Sequence, residues 1–69
     1  MASIIIKLNG EPREIPAEID LPSLLEMLSL PPQRIAIELN GAVIRRVDWS
    51  ATKVNDGDRV EVVHFVGGG

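Results

Sequence analysis

Cysteine is absent from this chain, and aromatic residues are almost so: Trp49 and Phe65 are the only two in 69 residues. Without cysteine there is no disulfide and no thiolate metal site. At this length a single core is barely sufficient without such staples. The 45% hydrophobic fraction, mostly Ile, Leu and Val, therefore has to build it. Histidine is equally scarce, with His64 alone. A general base needs an oriented partner, and the hydroxyls available (Ser3, Ser23, Ser29, Ser50) are scattered along the chain. One histidine among dispersed carboxylates gives no metal-ligand spacing. Asp56-Gly57-Asp58 lacks the further oxygens of a calcium loop and reads as a turn.

Positive charge is also short. Seven Lys and Arg face ten Asp and Glu, for a net charge of −3 and a pI near 4.9. That balance argues against nucleic acid and against a polybasic membrane tether. No apolar run approaches the roughly 18 residues of a spanning helix, and no basic n-region opens the chain, so a soluble cytoplasmic protein is expected. No internal glycine turn opens a helix, as a phosphate cradle requires. By elimination the chain is not expected to be an enzyme on its own.

What is present is clear periodicity. Ser3 to Leu8 alternates, with Ile4, Ile6 and Leu8 on one face, and β-branched residues favour a strand. Asn9-Gly10 is a strong hairpin signal because both residues tolerate positive φ. Glu11 to Ile15 then returns antiparallel, and Pro12 and Pro16 confine it to an edge or a short length. Asp20 to Leu30 changes to helical spacing. Asp20 suits the N-cap, Pro22 the first turn, and Leu21, Leu24, Leu25 and Leu28 form one stripe. Met27 and Leu30 are expected to widen that stripe into the core, and Pro31-Pro32 to end the helix.

Ile35 to Leu39 alternates again, Asn40-Gly41 repeats the hairpin signal, and Ala42 to Arg45 forms a short strand. Arg46 to Thr52 has no clear period and suits a turn or short helical segment. Arg45-Arg46 beside Trp49 allows a cation–π cluster. The blander alternative, arginine stems covering a Trp that plugs the core edge, is favoured. From Arg59 the last strand points Val60 and Val62 inward, with Arg59 and Glu61 outward. Past Glu61 the alternation fails through Val63, His64, Phe65 and Val66. A central strand in a sheet covered by one helix has an open side. Val63 and Phe65, with Val66, are therefore candidate partner-docking residues.

The order ββαββ(turn)β gives an α+β fold of the β-grasp, ubiquitin-like kind. We expect a mixed sheet of about five strands, one main helix on one face, and the first and last strands adjacent and parallel at its centre. Residues 1–66 form the domain and 67–69 a flexible glycine tail. On composition alone, Gly67-Gly68-Gly69 suits equally a frayed end and a tail reaching into another protein. With no internal reactive group, the terminal carboxylate is what remains. Glycines let a backbone thread a narrow channel, and Val66 to Gly69 extended reaches about 13 Å.

Four segments in order then resemble the thiamine-biosynthesis sulfur-carrier (ThiS) family across essentially the whole chain. They are Leu39-Asn40-Gly41, Val43 to Trp49 with Arg46 and Trp49, Asp56-Gly57-Asp58, and His64-Phe65-Val66-Gly67-Gly68-Gly69. The resemblance implies a protein co-substrate that binds no cofactor itself. An E1-like adenylyltransferase would adenylate Gly69 with ATP and Mg²⁺. A cysteine desulfurase or sulfurtransferase persulfide would convert it to a thiocarboxylate, and thiazole synthase would take the sulfur. Two departures stand out: the helix opens with Asp20-Leu21-Pro22 where a Thr-Val entry is common, and three glycines replace two. A molybdopterin-synthase small subunit, a ubiquitin-like modifier of lysines and an interaction domain with an incidental tail remain alternatives.

Overall fold

Two Asn-Gly turns set the hairpins of this protein. The computed structural model describes residues 2–64. β1 (Ser3–Leu8) and β2 (Glu11–Pro16) pair antiparallel from Ser3↔Pro16 to Leu8↔Glu11. Between them Asn9 and Gly10 both take positive φ, 51° and 86°. That is the backbone whose twist matches a tight hairpin. Asn40 and Gly41, at 53° and 89°, repeat it between β3 (Ile35–Leu39) and β4 (Ala42–Ile44). The two prolines of β2 cost no shared ladder, because β2 lies at the sheet edge.

The strands form one sheet in the order β2-β1-β5-β3-β4. β5 (Arg59–His64) is central, parallel to β1 and antiparallel to β3. This is the mixed arrangement expected from the sequence, with the first and last strands side by side.

The helix α1 (Leu21–Met27) packs on one face. Asp20 caps it by accepting the Ser23 backbone N–H at 2.9 Å. Leu21, Leu24 and Leu25 are buried against Ile6, Ile15, Ile37 and Val60. Each such side chain contributes about 1.5–3 kcal/mol on leaving water, so this seam dominates the fold's stability.

Two expectations need correction. The helix stops before the prolines: Ser29 turns left-handed at φ 60°. Its N–H donates to the Glu26 carbonyl and that of Leu30 to the Leu25 carbonyl, at 3.0 and 2.9 Å. This Schellman pairing satisfies the last carbonyls and ends the helix locally. Met27 is 38% exposed and not core. At 100° per residue it lies about 110° from the centre of the leucine stripe. Leu30 does pack against the core, folded back by the cap.

After β4 a 3-10 helix, Arg46–Ala51, brings buried Trp49 under the sheet edge. The chain then ties itself to the start of α1. Leu21 donates to the Thr52 carbonyl at 3.1 Å and Val54 to the Ile19 carbonyl at 3.0 Å.

Candidate functional site: the central strand and its open face

β5 leads toward the glycine end, so what holds this strand matters most. On one side it pairs with β3 from Leu39↔Val60 to Ile35↔His64. On the other the ladder with β1 is short, Lys7↔Arg59 and Leu8↔Val60. Asparagine side chains from the two hairpin turns extend the hold. Asn40 Oδ1 accepts the Arg59 N–H at 2.9 Å, and Asn9 Oδ1 accepts the Val62 N–H at 2.8 Å.

The turn before β5 is equally bound. Asp56 Oδ1 accepts the Ile5 N–H at 2.9 Å, and Gly57 donates to the Ile5 carbonyl at 2.9 Å. Asp58 takes Asn40 Nδ2 on one oxygen and the Asn55 N–H on the other, at 3.1 and 2.8 Å. These carboxylates hold backbone N–H groups and the Asn40 amide, as a turn reading requires. Among the described residues no group of His, Cys, Asp and Glu could hold a metal ion. His64 is exposed at the strand end, opposite Ile35.

Alternation along β5 puts Val60 and Val62 on the helix side and Arg59, Glu61 and Val63 on the open face. Val63 is 50% exposed beside Ala36 of β3. The open face carries two more apolar side chains, Val43 of β4 at 66% and Ile5 of β1 at 56% exposure. Between Val43 and the centre, Glu38 and Glu61 stand directly opposite one another. With Arg59 and Gly41 they line a hollow of about 100 Å³. The sequence-predicted Val63 thus stands on an apolar, acid-centred surface. Phe65, Val66, Gly67, Gly68 and Gly69 lie outside the described residues, as does the 66/67 domain boundary.

Sequence reasoning misses Ile5 and Val43, although their outward place in the alternation follows from the neighbours that point in. It misses the asparagine clamps as well. Their only sequence signal is the repeated Asn-Gly pair, since Asn in a left-handed turn has a side-chain carbonyl available for a nearby backbone.

On the helix side, Pro22, Leu25, Leu30, Pro32 and Trp49 line an open groove of about 350 Å³. Arg46 stacks on the Trp49 of this lining, with its guanidinium 4.5 Å from the indole centroid. The cation–π contact weighed from the sequence therefore exists, and it covers a core-edge Trp. No helix among the described residues is long and apolar enough to cross a membrane.

A five-stranded mixed sheet with one main helix across it defines the β-grasp, ubiquitin-like class. Within that class the chain belongs to the ThiS family, whose model matches residues 6–69. It is similar in structure to the thiamine biosynthesis protein ThiS of Geobacter metallireducens. The crystal structure of that protein superposes with a TM-score of 0.84 at 35% identity, covering 96% of this chain and all of that one. In sequence it is 44% identical over 64 residues to a thiazole synthase of Magnetococcus marinus, covering 93% of this chain. The chain spans only about a fifth (20%) of that relative's length. It is also 39% identical to the uncharacterized protein ycf40 of Porphyra purpurea, covering 97% of this chain and 94% of that one.

Proposed function

We propose that the protein carries sulfur for thiamine biosynthesis as a thiocarboxylate on Gly69. Membership of the ThiS family, a family of small carrier proteins, supports the sulfur-carrier role. The observation that carries the reading is the family match itself, which runs through the glycines to residue 69. In this cycle an E1-like adenylyltransferase binds the domain and draws the glycine end into its nucleotide site. The Gly69 carboxylate attacks the α-phosphorus of Mg²⁺-bound ATP, and pyrophosphate leaves. A persulfide of a cysteine desulfurase or sulfurtransferase displaces AMP. A second thiol cleaves the resulting S–S bond, becoming a disulfide and leaving the thiocarboxylate.

Thiazole synthase is the proposed acceptor. Thiazole synthases of Magnetococcus marinus and Paramagnetospirillum magneticum each contain a stretch similar to this chain, which favours that acceptor over a molybdopterin synthase. Val63 of the open face, with Phe65 and Val66, is the proposed docking patch for these partners. The exposed apolar character of Val63 supports its part in it.

Mass spectrometry of the protein purified from its native host tests the reading. One terminal oxygen exchanged for sulfur is expected. Glycine joined by isopeptide bonds to other proteins would instead indicate a modifier, and growth of a deletion strain without thiazole would overturn the thiamine role. Removal of Gly69, or one residue appended after it, is expected to abolish thiocarboxylate formation and leave the fold unchanged.

A further inference from the structure

β5 outruns its parallel neighbour. The pairing with β1 ends at Leu8↔Val60, whereas pairing with β3 continues to Ile35↔His64. Backbone groups of alternate residues face alternate neighbours, so the N–H of Val62 points toward the side where β1 has ended. A backbone N–H there needs an acceptor from elsewhere. Asn9 supplies it. Its own N–H donates to the Val60 carbonyl at 2.9 Å, and its side-chain Oδ1 accepts the Val62 N–H at 2.8 Å. One residue thus takes two successive bonding positions along β5. Its φ of 51° lets the main chain turn away into Gly10 while the side chain stays with the strand.

We propose that Asn9 is a positioning residue for the reactive end: it sets the heading of β5 where the strand passes into residues 65–69. This role rests on the sulfur-carrier reading above. Val62 stands seven positions before Gly69, and its bond to Asn9 is the last on the β1 side of the described strand. Without it, Val62 to His64 is held by β3 alone, and the strand end samples a wider range of headings. Only the fraction of molecules with the right heading presents the end productively, so apparent affinity falls by that fraction. The chemistry at Gly69 is untouched. The signature is a raised KM for the carrier with an unchanged kcat.

Two substitutions separate this role from general loss of fold. Asn9→Gly keeps a turn that accepts positive φ and removes only the side-chain acceptor. Asn9→Asp tolerates the same φ and restores an acceptor oxygen. The full chain is assayed for ATP-dependent pyrophosphate release with its purified activating enzyme, and Val62 amide exchange is followed by NMR. For Asn9→Gly we expect Val62 exchange about tenfold faster or more. We expect KM to rise about three- to tenfold and kcat to stay within about twofold. Asn9→Asp should match the unsubstituted chain in both. An unchanged KM in Asn9→Gly, unchanged Val62 exchange, a fall in kcat, or a loss in Asn9→Asp equal to that in Asn9→Gly would overturn the role alone. No turnover of the unsubstituted chain would overturn the sulfur-carrier reading and this role with it.

Discussion

Arg46 lies over the Trp49 indole, 4.5 Å from its centroid, and donates from Nη2 to the Pro32 carbonyl at 2.7 Å. Trp49 in turn donates Nε1 to the Ile44 carbonyl at 3.0 Å. Two side chains thereby join the segment after α1, the end of β4 and the 3-10 helix. A cation–π contact made by an exposed arginine such as Arg46 contributes about 0.5–1 kcal/mol, and a charge-assisted hydrogen bond somewhat more. Arg46→Ala should therefore lower unfolding free energy by about 1–2 kcal/mol, seen as an earlier urea midpoint at constant m. Trp49→Ala, which empties a core site, should cost about 3–5 kcal/mol. Equal midpoints for Arg46→Ala and the parent would show that the stack contributes nothing.

Ser29 ends α1 in a left-handed conformation with a Cβ, where glycine is the usual occupant. Ser29→Gly should relieve that strain and raise stability by about 0.5–1 kcal/mol, provided the cap's gain exceeds the added freedom of the unfolded chain. Thermal unfolding measures it. A lowered melting temperature would mean that the serine's restriction of the unfolded chain outweighs the strain.

Val63 and Val60 belong to one alternation and have opposite expected phenotypes. Val60 is fully buried, so Val60→Ala should destabilise by about 2 kcal/mol. Val63 is half exposed, so Val63→Ser should change stability by less than about 0.5 kcal/mol. If Val63 lies at the centre of the docking patch, binding to the activating enzyme should weaken about tenfold. Titration calorimetry of both variants decides, and normal affinity in Val63→Ser removes it from the interface.

Asp20 has its carboxyl held below the usual 3.8, chiefly by the Ser23 side chain and the Ser23 backbone N–H it accepts, with a smaller pull from Lys53. A depressed folded-state value means the unfolded chain binds the proton more readily. The cap's contribution is thus fully present above the ordinary carboxylate range and is lost as pH falls through and below 3.8. An asparagine amide caps a helix without titrating, so Asp20→Asn should flatten this part of the acid limb. Melting temperatures of this variant and the parent across that range measure the effect. Parallel pH curves would show that Asp20 does not contribute to acid sensitivity.

Much of this molecule follows from local rules. The Asn-Gly pairs turn because their residues tolerate positive φ, and Asp20 caps because its oxygen meets an unpaired helix N–H. The strands of Ile4-Ile6-Leu8 and Ile35-Ile37-Leu39 show themselves by period two. Such features involve neighbours a few residues apart, so they are legible along the chain. The order of strands was also legible, since two hairpins around one helix leave a central place for the last strand. Of the docking candidates, only Val63 falls on described backbone, and there its outward direction follows the alternation.

Contacts between distant segments were decided only by the fold. Met27 is the exception, since it reads as core by composition although the local helix phase already turns it toward solvent. The helix reads as running to Leu30, but Ser29 and the packing of Leu30 stop it sooner. Arg46 finds the Pro32 carbonyl, 14 positions away, only once the 3-10 helix is folded into place. The clearest case is Asn9, whose side chain meets Val62 across 53 positions of sequence. By itself the sequence determined the turns, the helix cap and the alternating faces, because these are set by each residue's own φ tolerance and hydrophobic period. Which distant backbone each free side-chain oxygen would serve was decided by the tertiary structure, because hydrogen bonding depends on separation in space, and only strand pairing sets that.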